Sequence, residues 1–490
     1  MSIRSRLSPP LGRRSFLAGC GAVALASVLA ACSSAPPAAS SGSTSVAPTS
    51  APAPKPAPTS PAAAAAASTS APAAATSAPA AQAAPASGSL KGKSLEILGG
   101  TFYVPANNTQ TDELVKKLAS DTGMTVKIER LGTQMQAKVD AVIESGVGAD
   151  IFICADTDPY LYGEKLMDVS GVAKDIEAAW HGWYDVAKQA CIVKGKWRAL
   201  MLGQAPDAWN WRPDFFKAAG VDTFPDTYDG LLAAATKLKA YGKPIGMTLG
   251  HATGDARSTN YPVLWAFGGA EFSSDGTKVT IDSPETRKAI DWYTQMYKQM
   301  TPAVLSWLDP DNNQAFLAEQ VSGTTNVNTI YLAGRDSKDP AQQKIAKAMD
   351  FANWPQGPAG RYGCFNINHW AGFGATKNPD GVNAFMAAWF DKKFLVPWTK
   401  TGQSYFIPAL NDIATEDAWP DDPKLKIFRE LNKINRMLGW AGPPTRAVAE
   451  SVAKFTLTDM FAQAVTGKMT PDQAVSWAAD QYKQFIAKGL

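Results

Sequence analysis

"ADIFICA", residues 149–155, reads as a continuous buried strand: five consecutive apolar residues after Asp150, two of them isoleucine. Strands of this kind belong to parallel sheets covered by helices on both faces. The residues upstream supply the rest of such a unit. "SLEIL", 94–98, is a short β-type run, and Thr109–Ala119 carries apolar residues at helical spacing at Leu114, Val115 and Leu118. "MTVKIERL", 124–131, alternates apolar and polar residues, and Gln134–Ser145 is helical again. Strands separated by single helices predict a doubly wound α/β sheet. Ligands of such sheets sit beyond the carboxyl ends of the strands. That rule singles out Thr101, Phe102 and Tyr103 after the first strand, and Asp156 and Thr157 after the third.

Helix starts are legible further along. In "DSPETRKAIDWYTQMYKQM" Ser283 is the expected N-cap with Pro284 at the first helical position. In "TPDQAVSWAADQYKQF" Thr470 and Gln473 make a capping box with Pro471 between them. These signals specify fold and carry no chemistry.

The chain begins differently. Arg4, Arg6, Arg13 and Arg14 precede an apolar stretch, Phe16–Ala31, with no acidic residue among them, as in a secretory signal. The stretch falls short of the roughly 20 apolar residues that span a bilayer. Gly12–Leu17 resembles a twin-arginine signal, with the general secretory route left open. Leu29-Ala30-Ala31-Cys32 matches a bacterial lipobox, which predicts cleavage before Cys32 and its lipidation, and hence a membrane anchor. Ser33–Ser89 has no aromatic residue and a single charge, Lys55, so it cannot bury enough apolar surface to offset ordering and is expected to be a disordered tether. The expected organisation is a signal over 1–31, lipidated Cys and tether over 32–90, and a two-lobe body over 91–490.

The formal net charge of +3 belongs to the leader, because the value turns negative once its four arginines are set aside. No basic patch argues for nucleic acid. Cys154, Cys191 and Cys364 in the body allow at most one disulfide, and three histidines without ligand spacing call for neither a metal nor a cofactor.

"WNWRPDFFKAAGVDTFPDTYDGLLAAATKLKAYGKPIGM", 209–247, resembles the domain-crossing segment of bacterial extracellular solute-binding proteins of family 1, the sugar-type receptors of ATP-binding cassette importers. Blocks at 267–293, 313–326, 363–390 and the closing "GKMTPDQAVSWAADQYKQF" follow in the family's order. The resemblance implies a two-lobe periplasmic-binding-protein fold of type II-like topology, with a hinge and a ligand cleft between the lobes. It also implies permease subunits as partners, a small-molecule solute, no catalysis, and a monomer. Lobe closure around a solute is the transition such a fold performs.

A sugar presents an apolar face to aromatic rings and hydroxyls to carboxylates and amides. The candidate contacts are therefore Phe102, Tyr103, Asp156, Trp209, Trp211, Asp255, Trp265, Asn326, Asn328, His369 and Trp370. Trp370, in a Gly-rich setting beside His369, is the expected stacking platform, while helix packing is an equal reading for Trp265 and a helix cap for Asp255. "GTTNVNT", 323–329, reads as a polar run in place of a buried strand, which turns Asn326 and Asn328 toward the cleft. Arg212 in "WNWRPD" keeps an acidic or phosphorylated solute open, and polyamine or iron are further options. A polysaccharide-acting enzyme would need paired carboxylates in a cleft. A lipid-anchored sensor or adhesion protein using the same body is the other alternative.

Overall fold

The computed structural model describes residues 90–489 apart from 133 and 432. The leader, the lipobox with Cys32 and the tether lie outside the described residues.

The three expected N-terminal strands form as β1 (Ser94–Gly99), β2 (Thr125–Arg130) and β3 (Ile151–Ala155). β1 lies between the other two and is parallel to both, with helices Pro105–Thr122 and Met135–Ser145 as crossovers. The first helix begins earlier than the apolar spacing suggested, because Pro105 occupies its first turn. It stops at Gly123, whose φ of 71° is the left-handed conformation that closes a helix.

The chain continues through β4 (Ile192–Val193), β5 (Lys196–Trp197), β6 (Leu200–Pro206), β7 (Ala208–Trp211), β8 (Ile245–Gly246), β9 (Gly323–Asn326), β10 (Asp350–Ala352), β11 (Gly363–Gly372) and β12 (Asn435–Arg436). β11 is antiparallel to β3 and to β6, which extends the first sheet in the order β12-β11-β3-β1-β2 with β6 also along β11. A second sheet has the order β10-β7-β9-β8.

Each sheet has its own hydrophobic core, and these define two lobes. The chain passes between the lobes three times. It leaves the first at Asp207, the single residue between β6 and β7, and returns between β10 and β11. It leaves again with Ala418 in the first core and Leu425 in the second. A small number of extended crossings between separately packed bodies is the geometry of a hinge.

The predicted helix starts hold. Ser283 Oγ accepts from Thr286 N at 3.1 Å, and Thr470 and Gln473 bond reciprocally. The polar run 323–329 does not. Gly323–Asn326 is strand β9, fully buried between β7 and β8, and the preceding helix is Asp311–Leu317. Its Thr325 hydroxyl finds an internal partner, meeting Thr259 at 2.5 Å, so polar composition did not preclude burial. Cys154, Cys191 and Cys364 are free and buried. Among the described residues no helix is long and apolar enough to cross a membrane.

Candidate functional site

The carboxyl ends of β1 and β3, the Asp207 crossing and the start of helix Asp255–Ala266 converge between the lobes. At the end of β3, Asp156 takes a φ of 29°, which non-glycine residues avoid. The conformation is fixed by three bonds: its backbone N donates to Ile367 O at 3.0 Å, its Oδ1 accepts from Ile367 N at 2.8 Å, and its carbonyl meets His369 Nε2 at 3.0 Å. Strain held in place at a strand end is a feature of binding sites.

From the second lobe Arg257 Nε reaches Asp156 Oδ2 at 2.5 Å, although at an angle too poor for a good hydrogen bond. The same guanidinium donates to Asn366 Oδ1 at 3.2 Å and to the Thr253 carbonyl. Asp255 lies one turn before the apolar part of its helix, and its backbone N, like that of Gly254, donates to the exposed Asp309 Oδ1. Asn312 lies beside the Asp255 carboxyl, with its Nδ2 donating to Thr325 O at 3.1 Å. Asp207 sits in the same field, close to Arg257, Asp156 and Asp309. The Oδ2 atoms of Asp207 and Asp255 are buried without a hydrogen-bond partner.

Two tyrosines of the first lobe stand at the rim. Tyr103 is 37 % exposed and donates to Thr329 O of the second lobe at 2.8 Å. Tyr405 packs on it at 5.9 Å between ring centroids and lies within electrostatic reach of Asp207, Asp255 and Asp309. Burial dominates the titration of the whole group. It raises Asp255 well above the carboxylate range, with Asp309 and Asp207 adding to the rise and Arg257 opposing it. Asp207 is pushed up to about 7 by burial, against Ser258 and Arg257. Burial also raises Asp156, whose neighbour Arg257 pulls the other way. Tyr103 rises to about 12. Aromatic rings, amides and carboxyls that hold or release a proton can together bond hydroxyls and amines as donor or acceptor. Among the described residues no group of three or more His, Cys, Asp or Glu side chains is arranged to hold a metal ion.

Of the residues singled out in the sequence, Tyr103, Asp156 and Asp255 meet here. Asn326 adjoins the rim, with its amide engaged by Asn312 and Asn313 and its Oδ1 accepting from Thr329 Oγ1 at 3.1 Å. Asn328 ties the lobes together, donating to Gln403 O at 2.7 Å.

The remaining aromatic expectations are corrected by packing. Phe102 turns into the first lobe, 5.1 Å from Trp398. Trp370 is fully buried in the same core, edge-on to Trp389 at 4.9 Å and Phe385 at 5.0 Å, which leaves no ring face for a ligand. His369 lies beneath Asp156 with Cys191 Sγ at 3.3 Å, and burial lowers its pKa to about 4. In the second lobe Trp209 and Trp211 pack around Phe224, and Trp265 packs between Tyr261 and Trp440. Arg212 is held by Asp214 at 2.7 Å and Glu319 at 2.6 Å, in the strand-to-helix turn after β7. Asp207, Asp309, Asn313, Asn366 and Tyr405 were not anticipated. The one available signal was Asp207, an acid set between the apolar strands β6 and β7.

A curated relative from Brucella abortus (strain 2308), described only as a binding protein, is 22% identical over 394 residues, covering 77% of this chain and 90% of the relative. An ABC transporter solute-binding protein from Thermotoga lettingae TMO, solved with α-D-tagatose, superposes with a TM-score of 0.67 at 18% identity, covering 80% of this chain and 100% of that one. A sugar transporter protein from Arthrobacter chlorophenolicus A6, solved with laminaribiose, gives 0.67 at 15% identity over 81% and 99% of the two chains. One from Agrobacterium radiobacter K84, solved with ribitol, gives 0.64 at 18% identity over 81% and 99%. These likenesses establish the two-lobe fold. The sequence profile described as bacterial extracellular solute-binding protein matches residues 113–427, more than half of the chain, and the chain belongs to that family.

Proposed function

We propose that the chain is the receptor of an ATP-binding cassette importer and captures a sugar or polyol between its lobes. The observation that carries this reading is the pair of buried, unpartnered carboxyl oxygens, Asp207 Oδ2 and Asp255 Oδ2, set behind the tyrosine rim. Buried polar atoms without partners are costly, and a polyhydroxylated solute supplies the missing bonds. The sugars and the polyol named for the structural relatives support the ligand class. The solute is released unchanged to permease subunits, so no turnover belongs to this reading.

Lipidation at Cys32 would hold the monomeric receptor at the outer face of the cytoplasmic membrane, with residues 33–89 as the leash. Replacing Cys32 by Ala should then move the protein from the membrane fraction into the soluble exported fraction.

The ligand class is tested by a thermal-shift screen of the purified protein against mono- and oligosaccharides, polyols, sugar phosphates, polyamines and amino acids. A ligand at 100 times its Kd stabilises the folded state by about 2.7 kcal/mol. A shift confined to polyamines or amino acids would overturn the carbohydrate assignment.

A further inference from the structure

We propose that the interlobe site selects a polyhydroxylated solute bearing a positively charged amino group, an amino sugar or aminopolyol, over its neutral and anionic counterparts. The inference rests on the reading of this site as the solute site and specifies its ligand. Five carboxyls, Asp156, Asp158, Asp207, Asp255 and Asp309, lie in the field of one guanidinium, Arg257. That guanidinium is already engaged by Asp156, Asn366 and the Thr253 carbonyl. With the carboxyls ionised, the charge left over is negative. Asp207 and Asp255 are 1% and 8% exposed, and each turns an unpartnered Oδ2 into the cluster.

An ammonium group brings three N–H donors and a compensating charge to such oxygens, whereas a hydroxyl brings one donor and no charge. A phosphate would meet carboxylates, with no free cation among the described residues of the site to receive it. Arg212, the cation that the sequence offered for an anionic solute, is occupied by Asp214 and Glu319. The other titratable groups facing Asp255 and Asp207 are Tyr405 and Cys364, neutral at working pH because burial raises both. Burial favours the protonated form of Asp255 in the empty site, and a bound ammonium favours the carboxylate. Capture of the amine therefore releases a proton, and its affinity weakens as pH falls.

The test is calorimetric titration of the full-length protein at pH 6.5 with two matched sets. One set is glucosamine, N-acetylglucosamine, glucose and glucose 6-phosphate. The other is fully deacetylated chitobiose, chitobiose and cellobiose. The expected result is at least tenfold tighter binding of the free amine than of its N-acetyl and hydroxyl counterparts in at least one set. The preference should shrink toward unity in Asp255→Asn, and proton release should appear as a dependence of the heat on buffer ionisation. Equal or tighter binding of the neutral or phosphorylated probe overturns the amine preference and leaves the receptor reading standing. No binding by any probe strikes the receptor reading itself.

Discussion

Replacing Trp370 by Ala separates a core residue from a ligand platform, two roles that make opposite demands. Trp370 is fully buried in β11, opposite Ile153 of β3 on one side and Leu200 of β6 on the other, with its ring edge-on to Phe385 and Trp389. A buried Trp hides about 150–250 Å², which at about 25 cal/mol per Å² is worth roughly 4–6 kcal/mol. Large-to-Ala substitutions of aromatic core residues cost about 3–5 kcal/mol. Trp370 Nε1 has no partner, so removing it recovers about 1 kcal/mol or more of desolvation and places the net loss near 3–4 kcal/mol. For a lobe-sized cooperative unit each kcal/mol lowers Tm by about 2–4 °C. Scanning calorimetry should therefore show a fall of roughly 6–16 °C, while titration of ligand well below the lowered Tm gives a Kd within about threefold of the parent. An unchanged Tm with affinity lost tenfold or more would refute the core placement and restore Trp370 to the ligand.

The complementary substitution is Tyr103→Ala, which removes a rim ring and the bond to Thr329 O. Solute affinity should fall about tenfold or more by calorimetric titration, while the lost hydrogen bond and aromatic contact, each worth about 1 kcal/mol, lower Tm by roughly 4–8 °C. Glu271 accepts from Tyr261 at 2.9 Å and Ser451 at 3.2 Å, and burial raises its pKa from 4.5 to about 7. The folded state thus holds a proton that the unfolded state has lost. Its contribution to stability is full below about 4.5 and disappears as pH rises to about 7. Glu271→Gln should remove up to about 1.4 kcal/mol per pH unit of that decline, read as the difference between the two proteins' denaturation curves across the window. Thr470→Ala breaks the capping box of helix Pro471–Ala487 and should cost about 1 kcal/mol in the same assay, with ligand affinity unchanged.

The elements that local chemistry specifies were readable. β1 to β3 follow from apolar runs and alternation, and the starts of helices Pro284–Tyr297 and Pro471–Ala487 follow from a cap and a proline, all within a few residues of one another. Strand β9 misled because Thr324, Thr325 and Asn326 look exposed in sequence, yet all three are buried, and neighbours distant in the chain, Thr259 and Asn312, satisfy Thr325 and Asn326 inside the lobe. The tryptophans misled for a related reason. Small polar residues beside Trp209 and Trp370 suggested an open setting, but each alternates across a strand whose inner face is core. Within the candidate site, the positions of Tyr103 and Asp156 at strand ends follow from the order of β1 and β3 in the sequence. Asp309 and Tyr405 were beyond it, because each sits in a loop that reaches the cleft only when the lobes have folded and the crossings have brought them together.

The structure of the protein crystallised with the tightest carbohydrate from the thermal-shift screen tests the central claim most directly. The account predicts the solute between the lobes, against Tyr103 and Tyr405, with a hydroxyl or amino group on Asp255 Oδ2 or Asp207 Oδ2. Solute bound elsewhere, for instance in the groove of the first lobe between Leu114 and Phe394, with the interlobe carboxyls untouched, would contradict it.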